Sequence, residues 1–245
     1  MYIQVDEVIS RTKQGATEPY ICICEEKKLY YVKGKGAGYG SLIKEWVAGK
    51  LAQHLNLPIP AFAIVEVPKA LYQAGASGLL SSLGFGPLFG SQEVPNCNEI
   101  SFYNASTLHV DLKRDIAAFD WWIKNGDRTL KEPAGNPNIL WSETTEEPFI
   151  IDHNLAFDET VTLSSLIESH MFSASLLEIA NDSTLQNIYN QKFQSVLPHV
   201  HDICDDIPDR WHYEDDMQSV EVNISVDTIK TTLERFSEQG FWKQP

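Results

Sequence analysis

Apolar positions alternate with a period of two in two short early runs. Residues 20–24 read Tyr-Ile-Cys-Ile-Cys and residues 29–33 read Leu-Tyr-Tyr-Val-Lys, with Glu25-Glu26-Lys27-Lys28 between them. β-branched and aromatic runs around a short polar break predict a β-hairpin. The same period puts Cys22 and Cys24 on one face of their strand. Ahead of the hairpin, residues 11–17 read as a polar turn. From Ser41 to Leu55 the spacing changes to four, with Ile43, Val47, Leu51 and Leu55 on one stripe. This predicts a helix with Ser41 as its N-cap. Residues 56–60 end it, and residues 61–67 read as a short apolar strand. Beyond Pro68 the pattern shifts. Residues 75–90 form a Gly/Ser-rich loop, and residues 111–124 a helix with Leu112, Ile116, Phe119 and Ile123 on one side. Residues 138–141 and 148–151 then predict a second hairpin around a Glu/Thr turn. From Leu163 onward the spacing is mostly helical. The fold class expected is α+β, a small β-rich N-lobe (residues 1–68) joined to a larger, mostly helical C-lobe (residues 69–245).

Four glycines, Gly34, Gly36, Gly38 and Gly40, alternate between the first hairpin and the helix. Neither G-x-G-x-x-G nor G-x-x-x-x-G-K-[ST] can be laid on them, so this stretch reads as a mobile linker that touches phosphate at most.

Charge narrows the function classes. The net charge of −15 argues against nucleic-acid binding, since phosphate backbones demand a basic footprint. No apolar run reaches the length of a membrane span, and the first residues lack a signal-peptide pattern. A cytoplasmic protein without membrane contact is expected. The four cysteines, Cys22, Cys24, Cys97 and Cys204, contain no CxxC pair and read as free thiols of a reducing compartment. His199 and His201 form an HxH that reads, alone, as a plain surface or core feature.

Candidate chemistry concentrates in three runs: Asn125-Gly126-Asp127-Arg128, Asn136-Pro137-Asn138-Ile139-Leu140 and Phe149-Ile150-Ile151-Asp152-His153. Phosphoryl transfer needs a cation on the phosphates, hard oxygen ligands for a metal and a carboxylate that orients the attacking hydroxyl. Lys33, closing the second strand, fits the first need, with Glu45 on the following helix as its ion-pair partner. Asp127 fits the carboxylate. Asn138 and Asp152, brought together by the second hairpin, fit the metal ligands, with Asn136 as the alternative to Asn138. Asp152 follows an apolar run, and a carboxylate in such a place demands partners.

These three runs, together with Tyr31-Val32-Lys33, Glu45 and Leu55-Asn56-Leu57-Pro58-Ile59-Pro60, resemble the motifs of HipA-like kinases. Gly126-Asp127-Arg128 is also similar to the motif of phosphatidylinositol kinases. The resemblance covers about residues 11–211 and implies a two-lobed protein-kinase-like fold that uses ATP and Mg²⁺. It implies Asp127 as the catalytic aspartate, Asn138 and Asp152 as metal ligands, and Lys33 as the ATP lysine. Further nucleotide contacts are expected at Thr12 and Gly15, in the turn that would cover the phosphates, and at Glu66 and Val67. The glycine run 34–40 is the alternative phosphate loop. Thr129 departs from the pattern, since related kinases commonly carry His there, and residues 130–135 read as a short insertion.

The first expectation is a kinase for protein Ser or Thr hydroxyls, with a protein substrate and, by the same resemblance, a toxin–antitoxin or stress-response setting and an antitoxin-like partner. Ser77, Ser81, Ser82 and Ser91 are candidate self-phosphorylation sites. A small-molecule or lipid kinase is the alternative, although no basic membrane-facing patch is evident. A nucleotide-binding pseudokinase is the third reading, against which the intact Lys33, Asp127, Asn138 and Asp152 count.

Overall fold

The computed structural model describes residues 2–13, 17–75, 78, 80–130, 135–215 and 217–243. The chain divides into two compact units. The first comprises Met1–Trp46, Pro60–Pro95 and Ile207–Asn223, and the second Val47–Ile59, Asn96–Asp206 and Ile224–Pro245.

The elements from the N-terminus are β1 (Tyr2–Arg11), β2 (Tyr20–Cys24), β3 (Lys28–Lys33), α1 (Tyr39–His54), β4 (Phe62–Val67), α2 (Lys69–Ala74) and β5 (Gly86–Gln92). The five strands close a barrel in the order β1-β2-β3-β5-β4. Antiparallel ladders join all neighbours except β1 and β4, which run parallel and complete the closure. Tyr20, Cys22 and Cys24 of β2 and Tyr30 and Val32 of β3 are buried, as the period-two pattern requires. Burial pushes the Cys22 thiol up to about 12 and the Cys24 thiol up to about 11, so both are inert packing groups.

Two strands of the barrel, β1 and β5, were not expected from the sequence. β1 has register shifts between Val5 and Glu7 and between Val8 and Ser10. Such bulges reset the alternation and hide the strand from a period-two reading. β5 carries Gly86, Pro87 and Gly90 and reads as loop, yet it lies between β3 and β4. Gly90 is needed there because a Cβ would come within 2.6 Å of a Val65 methyl. β5 lies beyond residue 68, so the barrel is complete only with this later segment.

Helix α1 starts at Tyr39, two residues before the expected cap. The Ser41 N–H already bonds the Gly38 carbonyl, which puts Ser41 inside the first turn. Ile43, Val47 and Leu51 are buried as the stripe requires, but so are Leu42, Trp46 and Ala48. The helix is packed around most of its circumference, and a single-stripe reading understates this.

The late segment Ile207–Asn223 belongs to the first unit through Trp211. Its indole is fully buried, and its Nε1–H donates to the Pro87 carbonyl at 2.7 Å.

In the second unit follow β6 (Cys97–Glu99), α3 (Phe102–Thr107), α4 (Val110–Trp122), β7 (Ile139–Ser142), β8 (Glu147–Ile150), α5 (Leu163–Ser169), α6 (Ser173–Asn181), α7 (Ser183–Val196), α8 (Val200–Asp205) and α9 (Val226–Glu234). β6, β7 and β8 form a small antiparallel sheet, with Ile139 opposite Ile150 as expected of the second hairpin. Side-chain oxygens start several helices. Thr162 and Ser165 make a capping box on α5, Asp182 caps α7 and Ser225 caps α9. The core is aromatic. Trp122 stacks on Phe193 at 4.4 Å between centroids and donates its indole N–H to the Leu233 carbonyl at 2.8 Å. Phe241 and Trp242 are also buried. No helix among the described residues is long and apolar enough to cross a membrane.

Candidate functional site

In the first unit, Lys33 closes β3 opposite Phe89 of β5. Its ammonium forms a hydrogen-bonded ion pair with Glu45 of α1. The Lys33 side chain is 11% exposed and that of Glu45 is 4% exposed. A carboxylate this buried requires a partner, and Lys33 is the partner the sequence reading expected. The ion pair gives the ammonium a fixed position at the end of its flexible stem, which suits it to meet an anionic ligand.

The glycine run is not a mobile linker. The N–H groups of Lys35 and Gly36 donate to the carbonyls of Leu83 and Ser82 at 2.9 and 2.6 Å. A Cβ on Gly34 would stand 2.2 Å from the Leu83 carbonyl oxygen, so only glycine allows this backbone approach. The alternation of glycines reflects packing against a second segment, which the sequence alone does not display.

The other expected nucleotide contacts are distributed over the barrel. Thr12 follows β1, and its N–H bonds the Pro19 carbonyl at 2.9 Å; Gly15 lies outside the described residues. Glu66 and Val67 end β4 opposite Pro87 and Gly86, with β5 between them and β3. Burial raises the carboxyl of Glu66 above the usual range. Ser81 and Ser82 lie before β5 and Ser91 within it, while Ser77 is outside the described residues.

In the second unit three of the expected residues meet. Asp127 Oδ2 accepts hydrogen bonds from Asn136 Nδ2 at 2.7 Å and from Asn138 Nδ2 at 2.9 Å. Both asparagines therefore hold the same carboxylate oxygen. They differ in anchoring. Asn138 is buried, and its carbonyl accepts the Ile151 N–H at 2.9 Å, which sets it beside the residue preceding Asp152. Asn136 is exposed, and its carbonyl accepts the Thr129 N–H at 2.9 Å. Asn138 (φ 47°) and Asp152 (φ 58°) both adopt the left-handed backbone region. Non-glycine residues persist there where the surroundings hold them, and such positions cluster at functional sites.

Beneath these residues lies a buried polar network that the sequence reading missed. Arg128 is fully buried and donates Nε–H to Asp120 Oδ2 at 2.7 Å and Nη2–H to Asp120 Oδ1 at 3.4 Å. Its Nη1 donates to the Pro137 carbonyl at 3.3 Å and to the Asn138 carbonyl. Its Nη2 also meets His153 Nε2 at 3.2 Å, and since a guanidinium only donates, that ring nitrogen accepts. Asn125 Nδ2 donates to Asp120 Oδ1 at 2.9 Å. His170 Nδ1 accepts the Phe172 N–H at 3.0 Å, so the ring hydrogen sits on Nε2, which donates to Asp120 Oδ2 at 2.9 Å. Arg128 thus clamps the backbone that presents Asn138, and Asp120 anchors Arg128. The signal was present in the sequence. Asp120 sits within Ala117-Ala118-Phe119-Asp120-Trp121-Trp122, and a charge inside an apolar helical run must find partners.

Burial alone would raise the Asp120 carboxyl, but the Arg128 charge and the His170 hydrogen bond hold it well below the usual range. A lowered folded-state value means the stabilisation is complete above the ordinary carboxylate range and is lost as acid titrates through the lowered value. Acid unfolding should show this. Wild type is expected to lose stability below about pH 4 more steeply than Asp120→Leu/Arg128→Met, and parallel curves would refute the assignment.

The donor set suits a hard cation. Each asparagine spends its NH₂ on Asp127 and keeps an amide oxygen, and the carboxylate residue Asp152 follows Ile151, whose N–H bonds the Asn138 carbonyl. Two or three protein oxygens are too few for a closed cage, but they match Mg²⁺, which retains water and takes phosphate oxygens. Among the described residues, no cluster of three or more His, Cys, Asp or Glu could hold a metal instead. His199 of the HxH stacks on His54 at 4.1 Å between centroids.

A family model described as HipA-like kinase matches residues 5–245. Among solved structures, the crystal structure of a Helicobacter pylori proinflammatory kinase, CtkA, is similar, with a TM-score of 0.52 over 94% of each chain at 12% identity. At that identity the likeness concerns the fold. No curated protein matches the chain.

Proposed function

The chain belongs to the HipA-like kinase family, and from that premise we propose that it is an ATP- and Mg²⁺-dependent protein kinase acting on Ser or Thr hydroxyls. The fold proposed for it is the two-lobed protein-kinase arrangement. The observation that carries the reading is Asp127, whose carboxylate is fixed through Oδ2 by the amides of Asn136 and Asn138.

Phosphoryl transfer asks the protein for position and charge more than for covalent chemistry. Asp127 Oδ1 accepts the hydrogen of the attacking hydroxyl and aims its oxygen. Lys33, held by Glu45, meets the phosphates of ATP. Asp152 and Asn138 would hold Mg²⁺, which would neutralise charge on the transferring phosphate. Arg128, anchored on Asp120, keeps the Asn138 backbone in place for both of its tasks. By family analogy the setting is a toxin–antitoxin or stress-response system in the cytoplasm, with an antitoxin-like partner.

Incubation with γ-labelled ATP and Mg²⁺, with protein, small-molecule and lipid acceptors offered separately, tests the proposal. Label on Ser or Thr of a protein is expected. Label on a lipid or small molecule alone would replace the acceptor class, and nucleotide binding without transfer to anything would favour a pseudokinase.

A further inference from the structure

A cavity of about 220 Å³ lies within the first unit, and neither Lys33 nor Glu45 is in its described lining. Lys35, from the turn after β3, and Arg210, from the late segment, line it together with Tyr39, Tyr72, Ser81 and Phe85. The chain carries 34 acidic and 19 basic residues, yet the described lining has two cations and no carboxylate. A third cation is close by, with Lys69 Nζ 5.5 Å from the centre of the Phe85 ring. Positive charge concentrated on an acidic molecule selects an anion against a repulsive background.

The donors suit a phosphate group. Lys35 is exposed. Arg210 is held in place. Its guanidinium stacks on the buried Tyr39 ring at 4.2 Å, and Nη1 donates to the Tyr213 carbonyl at 2.8 Å. A stacked guanidinium presents its edge in a set direction, as bidentate phosphate recognition requires. Tyr39 and Tyr72 add phenolic hydroxyls to the lining for a group with three acceptor oxygens, while the Ser81 hydroxyl donates to the Gly78 carbonyl at 2.8 Å. Tyr72 and Phe85 pack at 5.4 Å between centroids and form an apolar part of the lining. That part gives a carbon stem something to lie on. The volume falls below the usual range for a whole cofactor and is ample for one phosphorylated side chain.

We infer that this cavity is a binding site for a phosphomonoester, the phosphate entering between Lys35 and Arg210 and its organic stem lying on Tyr72 and Phe85. The site is tied to the barrel's structure. The Lys35 N–H is bonded to the Leu83 carbonyl, and Gly84 to Pro87 lead into β5, so a bound phosphate would brace the turn that follows Lys33. The inference is independent of the catalytic reading, since binding is measured without transfer.

Calorimetric titration with N-acetyl-phosphoserine amide and with inorganic phosphate is the test, in wild type, Lys35→Glu, Lys35→Arg and Arg210→Gln. Wild type and Lys35→Arg are expected to bind. Lys35→Glu and Arg210→Gln are each expected to bind roughly tenfold more weakly or worse, the worth of one charge-assisted contact. Lys35 is exposed, so Lys35→Glu should keep the melting temperature of wild type and separates lost binding from lost folding. Stronger binding of the phosphoserine derivative identifies a phosphorylated side chain as the source, and equal binding identifies free phosphate. No heat with either probe at millimolar concentration, or binding that ignores both substitutions, would overturn the site.

Discussion

Arg128→Met is expected to destabilise the protein by about 3–5 kcal/mol, the cost of removing one partner of a buried ion pair. Asp120 and Arg128 are both fully buried, so no water takes over when the guanidinium is gone. Asp120 keeps Asn125 and His170 as hydrogen-bond partners, but neither replaces the positive charge. The carbonyls of Pro137 and Asn138 lose a donor at the same time. Asp120→Leu/Arg128→Met removes the charge along with its partner and is expected to cost clearly less than the sum of the two single changes, because contacting residues couple. Urea unfolding followed by circular dichroism measures all three. A loss under about 1 kcal/mol for Arg128→Met would mean that the pair behaves like a surface contact and that the network is not an anchor.

Asp127→Ala is expected to lower the rate of phosphate transfer by about 10²–10⁴-fold, the usual worth of a positioned general base. Folding should change little. Asp127 is only half-buried, and its partners are neutral amides with access to solvent on the Asn136 side. Asp127→Asn should be nearly as inactive. An amide oxygen can still accept from Asn138, but the group then turns an NH₂ toward the attacking hydroxyl and cannot take its hydrogen. Steady-state ATP turnover together with thermal unfolding separates the two effects. Loss of rate with an unchanged melting temperature is the expected pattern, and loss of both would assign Asp127 a structural task.

The β2–β3 hairpin, α1, α4 and the β7–β8 hairpin were legible because their apolar positions keep a regular period. The same regularity brought the Lys33–Glu45 pairing within reach, since a lysine at a strand end and a glutamate among small helical residues are both local signals. β1 was illegible because its bulges break the alternation, and β5 because Gly86, Pro87 and Gly90 are loop residues unless a close neighbour requires them. Gly34 and Gly36 misled for the same reason. Their partners, Leu83 and Ser82, lie almost fifty residues away, and spacing carries no record of such a contact. In the candidate site, the choice between Asn136 and Asn138 could not be made from order alone. The structure puts both on Asp127 and distinguishes them by burial. In the layer beneath, Asp120 in its apolar run signals a need for partners, but His170 lies fifty residues away, so only the folded chain displays which partners it finds.

The most direct measurement is phosphate transfer from γ-labelled ATP with Mg²⁺ in wild type, Asp127→Ala and Asp152→Ala, with ATP-dependent protection against heat read on the same samples. Expected are transfer by wild type alone and protection of both wild type and Asp127→Ala. Undiminished transfer by Asp127→Ala, or no protection of wild type by ATP, would contradict the assignment of this site to phosphoryl transfer.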